Sequence, residues 1–168
     1  VDDHTRKLHL GHGYTLHTTL MRPKSRGSVT LQSANPYQAP HIDPGFFTHP
    51  DDMAVAIKGA RMGFEVLEAK AMESYRGKRL HPFDVNDDRA MEQFLRATCD
   101  TEYHPVGTCK MGPADDPLAV VDAQLRVHGL EGLRVVDAAI MPTVIGGNTN
   151  APTIMIAEKA VDLIRQAQ

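Results

Sequence analysis

A chain of 168 residues is long enough to bury a core without disulfide or metal staples, and 42% hydrophobic with 23% charged residues is ordinary for a globular protein. A net charge of −3, built from interspersed acids and bases with no basic stripe, argues against a nucleic-acid partner and for a small-molecule one. No apolar run reaches the roughly 18 residues that a membrane span needs, and Cys99 and Cys109 form neither a CxxC pair nor a secreted-protein framework, so free thiols in a reducing cytoplasm are expected. The start at Val1, in polar sequence without a charged-then-apolar leader, leads to the expectation of a piece cut from a longer chain.

In chain order, residues 13–20 (Gly-Tyr-Thr-Leu-His-Thr-Thr-Leu) alternate with a period of two and predict a half-buried strand. Ser28 to Leu31 predicts a second, with Pro23-Lys24-Ser25-Arg26-Gly27 as the hairpin loop between them. Asn35-Pro36 and Ala39-Pro40 break the run, after which His41-Ile42-Asp43 is expected to add a short strand. From Asp51 the period changes: Met53, Ile57, Ala60, Phe64, Leu67 and Ala71 predict an amphipathic helix over 51–75 that covers the sheet and ends before Gly77. Asp87 to Thr98 predicts a second helix, with Met91, Phe94 and Leu95 on one side and acids at its positive end.

Beyond residue 110, Val120-Val121-Asp122, Leu125-Arg126-Val127 and Leu133-Arg134-Val135-Val136 read as short strands separated by turns at Gly129 and Gly132. After Asn148-Thr149-Asn150 a last helix is expected, with Pro152 in its first turn and Ile156, Ala157, Ala160, Val161, Leu163 and Ile164 as its apolar stripe. The expected class is α+β, an antiparallel sheet covered by helices, with no repeat and no linker that forces two independent domains.

Three places could carry chemistry. His104 lies in Tyr103-His104-Pro105-Val106-Gly107-Thr108, where Pro105 restrains its backbone to extended conformations and Gly107 permits a tight turn. Histidine suits proton transfer near neutral pH, yet a lone His-Pro in a loop serves structure more often than catalysis. Leu133 to Pro142 reads as a strand ending in Asp137 and Ala138, small enough for a ligand to approach the backbone or simply for close packing. Thr149 or Asn150, opening a helix after Gly146-Gly147, fits a helix cap, and the amides of that terminus also suit an anionic ligand. A metal site built from His4, His9, His12 and His17 is disfavoured by spacing that puts His12 on the other strand face from His9 and His17, with no HExxH and no cysteine pair nearby, so no metal is expected.

The order His-Pro-Val-Gly-Thr-Cys-Lys-Met-Gly, Val-Val-Asp-Ala-Ala-Ile-Met-Pro and Gly-Asn-Thr-Asn-Ala-Pro-Thr-Ile-Met-Ile-Ala-Glu-Lys-Ala resembles the C-terminal pattern of glucose-methanol-choline (GMC) oxidoreductases, most of all the choline dehydrogenase-like branch. The motif match covers residues 103–168, and 1–102 follow only the order of elements of the family's substrate-binding portion. The resemblance implies an FAD-dependent enzyme acting on a small-molecule alcohol, and a division into 1–102, substrate-binding, and 103–168, catalytic and FAD-contacting. It implies that His104 accepts the alcohol proton while hydride passes to flavin N5. Asn148 falls where the family has His or Asn; an amide cannot titrate, so its implied role is to orient the substrate oxygen. Asp137 and Ala138 would contact the FAD diphosphate and ribityl region, and Thr149 and Asn150 the pyrimidine side of the flavin.

The Gly-x-Gly-x-x-Gly unit that grips the ADP half of FAD is not in these residues. An N-terminal FAD-binding domain is therefore the expected partner, and the chain alone is expected to hold FAD weakly and turn nothing over. A cage for a quaternary ammonium would need aromatic residues, of which there are no Trp, four Tyr and five Phe, so the particular alcohol stays open. The competing reading is a non-enzymatic α+β module that binds a small ligand or a protein.

Overall fold

In the computed structural model, which describes residues 11–167, the chain forms two compact units. One comprises the described part of Val1–Arg26 with Gly45–Glu102, and the other Gly27–Pro44 with the described part of Tyr103–Gln168. Of the histidines considered for a metal, His4 and His9 lie outside the described residues.

The first unit is built on helices α1 (Pro50–Glu68) and α2 (Asp88–Thr98). Pro50 presets the first turn of α1, and His49 Nδ1 accepts from the Asp51 amide at 3.2 Å. Met53 and Ala60 of α1 and Met91 of α2 are buried, and Phe64, Phe83 and Phe94 join the two helices through ring centroids 4.8 to 6.1 Å apart. The Arg79 guanidinium lies over Phe64, 4.9 Å from its centroid, and is hydrogen-bonded to Glu68. The helix expected to reach residue 75 ends at Glu68, and a single 3₁₀ turn follows at Lys70–Met72. Its stripe ends at Leu67; Ala71 is exposed, so no burial holds another α turn there.

Residues 13–20 do not form the expected strand, and the hairpin to Ser28 is absent. Alternation specifies an extended backbone but supplies no ladder partner. The segment lies instead along a small-residue notch in α1: a Cβ on Gly63 would come within 2.9 Å of Leu16 Cδ2 and 3.0 Å of Thr18 Cγ2. The supposed hairpin loop is pinned to the start of α1, where buried Asp52 accepts from the Lys24 amide at 2.9 Å and the Ser25 amide at 2.7 Å.

In the second unit, β1 (Ser28–Thr30) pairs antiparallel with β2 (His41–Asp43) in the register Val29 to Ile42, and every residue of both strands is exposed. Gly27 is required at this hairpin, since a Cβ would fall on the Asp43 carbonyl and the Pro44 backbone. The three runs expected as strands beyond residue 120 reduce to isolated bridges, Val121 with Met111 and Val127, and Arg126 with Arg134. Leu125, at φ 66, turns the chain too sharply for a ladder to extend, and its side chain goes into the core instead. That core gathers Val121, Leu125, Ile140, Met141, Ile156 and Ala160, the last two from α3 (Asn150–Gln166). Only part of the expected stripe on α3 is covered, for Val161 and Ile164 are exposed, with Ile154 and Met155 beside them. No described helix is long and apolar enough to cross a membrane, and both cysteines are free thiols.

Candidate active site

His104 sits between two left-handed residues, Tyr103 at φ 60 and Gly107 at φ 85. The segment after it is fixed by backbone bonds from Cys109 to the Ala139 carbonyl at 3.0 Å and from Met111 to the Ile140 carbonyl at 2.8 Å. The loop that follows is closed by Lys110 Nζ and Asp116, 2.6 Å apart; the hydrogen bond from Lys110 holds the Asp116 carboxyl below the usual carboxylate range. The segment carrying His104 is thus anchored to the 3₁₀ turn Ala138–Ile140, where Asp137 caps the turn by accepting from the Ala139 amide at 2.7 Å. Ala138 is half-buried in that turn and packs against the core.

Across the site stands the start of α3. The Asn148 side-chain nitrogen is 3.1 Å from His104 Nε2, and Thr149 Oγ1 is 3.1 Å from Nδ1. Residues 44 and 45 positions apart are therefore joined through the two nitrogens of one ring. His104 is half-buried, Asn148 exposed, and Thr149 only 9% exposed. With the Asn148 amide nitrogen toward the ring, Nε2 is the acceptor and a neutral ring carries its proton on Nδ1, facing the Thr149 hydroxyl; with the amide turned over, the two ring nitrogens exchange these roles. Nε2 faces the more open side of the group, toward exposed Asn148, and Nδ1 faces the buried Thr149.

Of the residues singled out by sequence, His104, Asn148 and Thr149 are brought into one hydrogen-bonded group. Asp137 and Ala138 form their own turn, linked to the His104 segment through the backbone, and Asn150 opens α3, exposed. Sequence reasoning missed the left-handed Tyr103 and the bond of Thr149 to the ring; neither leaves a local signal, because a tyrosine rarely takes φ above zero and the bond spans 45 positions. Two surface hollows, of about 480 and 520 Å³, are lined respectively by residues including Ile57 and Arg61 and by residues including His128 and Arg134, and neither is lined by His104, Asn148 or Thr149. Among the described residues no group of three or more His, Cys, Asp or Glu side chains is placed to hold a metal ion.

Comparison with known proteins gives the chain a family. This chain belongs to the GMC oxidoreductase family, whose sequence profile matches residues 23–157. It is 47% identical over 163 residues to an alcohol dehydrogenase (acceptor) of Pseudomonas putida, covering 96% of this chain and 29% of that protein. It is 47% identical over 155 residues to oxygen-dependent choline dehydrogenase 1 of Chromohalobacter salexigens, covering 92% of this chain and 28% of that one. Among solved structures it is similar to an FAD-dependent oxidoreductase from Chaetomium thermophilum, with a TM-score of 0.79 and 31% identity over 88% of this chain and 26% of that one. The chain spans less than a third of the length of the relatives it matches.

Proposed function

We propose that this chain is the C-terminal part of an FAD-dependent oxidoreductase that converts the CH–OH group of a small alcohol to a carbonyl, with His104 as acid/base and Asn148 orienting the substrate oxygen. Residues 1–102 are assigned to substrate binding and 103–168 to catalysis and FAD contact. The observation that carries the reading is the pairing of His104 Nε2 with the Asn148 amide at 3.1 Å, one group able to take a proton beside one that forms hydrogen bonds but cannot titrate.

The residues present fit the cofactor. Helices α1 and α2 each turn a side-chain acceptor onto their first amides, from His49 and Asp87, whereas α3 has no side-chain cap. The amides of Thr149 and Asn150, at the positive end of α3, suit the acceptor-rich pyrimidine edge of a flavin. Asp137 and Ala138, on a tight turn of small residues, suit its ribityl and diphosphate portion, with the backbone nearest the phosphates because a carboxylate would repel them. FAD, when bound, supplies the acceptor for the hydride leaving the substrate carbon. As the alcohol enters, the Asn148 amide exchanges its hydrogen bond with Nε2 for one to the substrate oxygen, so that His104 Nε2 is free to take the hydroxyl proton while the amide holds the oxygen as charge builds on it.

The test uses the longer protein that contains this chain. Removing a general base raises the barrier of the chemical step, so His104→Ala should lower kcat and kcat/KM together, by about 10²–10⁴-fold, with flavin content unchanged. Unchanged turnover refutes the assignment. Asn148→Ala should be milder; a larger loss than for His104→Ala would mean that the two roles are reversed.

A further inference from the structure

Threonine at a helix start ordinarily turns its hydroxyl onto the amides of its own first turn. Thr149 does not: it occupies the cap position of α3 with φ −85 and ψ −10, makes no side-chain cap bond, and places Oγ1 3.1 Å from His104 Nδ1. Its carbonyl begins the helix, accepting from the Thr153 amide at 3.0 Å and the Thr153 hydroxyl at 2.7 Å, so the residue is fixed by its backbone while its hydroxyl serves the ring. Thr149 is 9% exposed, so little water competes for that bond.

We propose that Thr149 is a positioning residue whose hydroxyl accepts the Nδ1 proton of His104 and so keeps the ring in the tautomer with an unprotonated Nε2. The proposal rests on the reading of His104 as the base and extends it to the residue that sets which nitrogen is basic. A neutral imidazole carries one proton, and only the tautomer with that proton on Nδ1 leaves Nε2 able to accept from an alcohol. Asn148 favours the same state from the other side, because its amide nitrogen donates to Nε2. The competing arrangement protonates Nε2, turns the Asn148 oxygen toward it and has the Thr149 hydroxyl donate to Nδ1; in that state the ring is no base toward the substrate. The side chain of Thr149 is thereby assigned to the ring, and its amide is left for the cofactor.

The experiment compares Thr149→Val, which keeps the branched shape without the hydroxyl, with Thr149→Ser, which restores it, in the longer flavin-loaded enzyme. Solid-state ¹⁵N spectra of histidine-labelled enzyme report the protonation of each ring nitrogen, with the His104 signals identified by their loss in His104→Gln. The wild type and Thr149→Ser should show protonated Nδ1 and unprotonated Nε2, and Thr149→Val a mixture of tautomers. The kcat of Thr149→Val should fall about tenfold, roughly the worth of one net hydrogen bond, with KM and flavin content unchanged and kcat recovered in Thr149→Ser. A wild-type spectrum with protonated Nε2, or a Thr149→Val enzyme with unchanged signals and unchanged kcat, overturns the proposal while leaving His104 as the base. A His104→Gln enzyme that turns over at the wild-type rate overturns the underlying reading, and the proposal with it.

Discussion

Two residues of unusual backbone hold His104 where it is. Tyr103, at φ 60, adopts a conformation that costs an L-residue about 1–2 kcal/mol, and core packing further along the segment must offset it. Gly107, at φ 85, has no such cost, but a Cβ there would also meet the Met141 carbonyl at 3.3 Å. Gly107→Ala therefore meets both a disfavoured dihedral and a tight contact, and should lower stability by about 1–2 kcal/mol. A fall in the urea midpoint with an unchanged slope is the expected result; a variant as stable as the wild type would show that the turn takes some other conformation. At this scale the site was legible only as a string of motifs. His104 and Asn148 stood out through the order of family-like segments, because nothing in a lone His-Pro distinguishes a base from a loop residue. The bond from Thr149 to the ring was not legible, since hydroxyl direction is decided by a partner 45 positions away.

At the scale of elements, the start of α1 shows how a buried charge organises a fold. Burial opposes ionisation of Asp52, but hydrogen bonds from the Lys24 amide, the Ser25 side chain and the Ser25 amide outweigh it and hold the carboxyl below the usual carboxylate range. Since the folded-state pKa lies below the unfolded value of about 3.9, the ionised form stabilises the native state. That contribution is complete above the unfolded pKa and is lost as pH falls through the folded one. Asp52→Asn should lower stability at neutral pH by about 1–3 kcal/mol, the range for hydrogen bonds to a charged group. It should also flatten the loss of stability as pH falls below the unfolded pKa. Urea midpoints at neutral and acid pH check both, and a variant as acid-sensitive as the wild type would exclude Asp52 as the titrating group. The neighbouring pair Lys24–Asp51 is exposed at both ends and adds little. The helices of this unit were legible because a 3.6-residue stripe needs only its own apolar face to declare it. The strands were not: residues 13–20 alternate, but alternation names no partner, and the partner proved to be a glycine notch on α1. Likewise the runs after residue 120 carry strand-forming residues, and one left-handed leucine among them decides against a ladder.

For the whole molecule, the question is what these residues can do without the rest of a family member. The chain covers 28–29% of the relatives it matches, and its sequence contains no Gly-x-Gly-x-x-Gly unit. The groups assigned to FAD here, the turn at Asp137 and Ala138 and the amides of Thr149 and Asn150, reach only the flavin, ribityl and part of the diphosphate; none would hold the adenosine half. A ligand gripped at one end forfeits the contacts of the other while losing the same translational and rotational freedom, so affinity falls steeply. The exposed Ile154, Met155, Val161 and Ile164 on α3 are apolar surface that this chain leaves uncovered, in keeping with a working unit larger than these residues. The isolated chain, incubated with FAD and desalted, should carry far less than stoichiometric flavin absorbance and oxidise no alcohol, whereas the longer protein treated in the same way should retain the cofactor. Far-UV circular dichroism of the isolated chain is the control that its helices have formed. Stoichiometric flavin on a helical, isolated chain would place the main cofactor grip within these residues and overturn the division of labour between this part and the remainder of the enzyme.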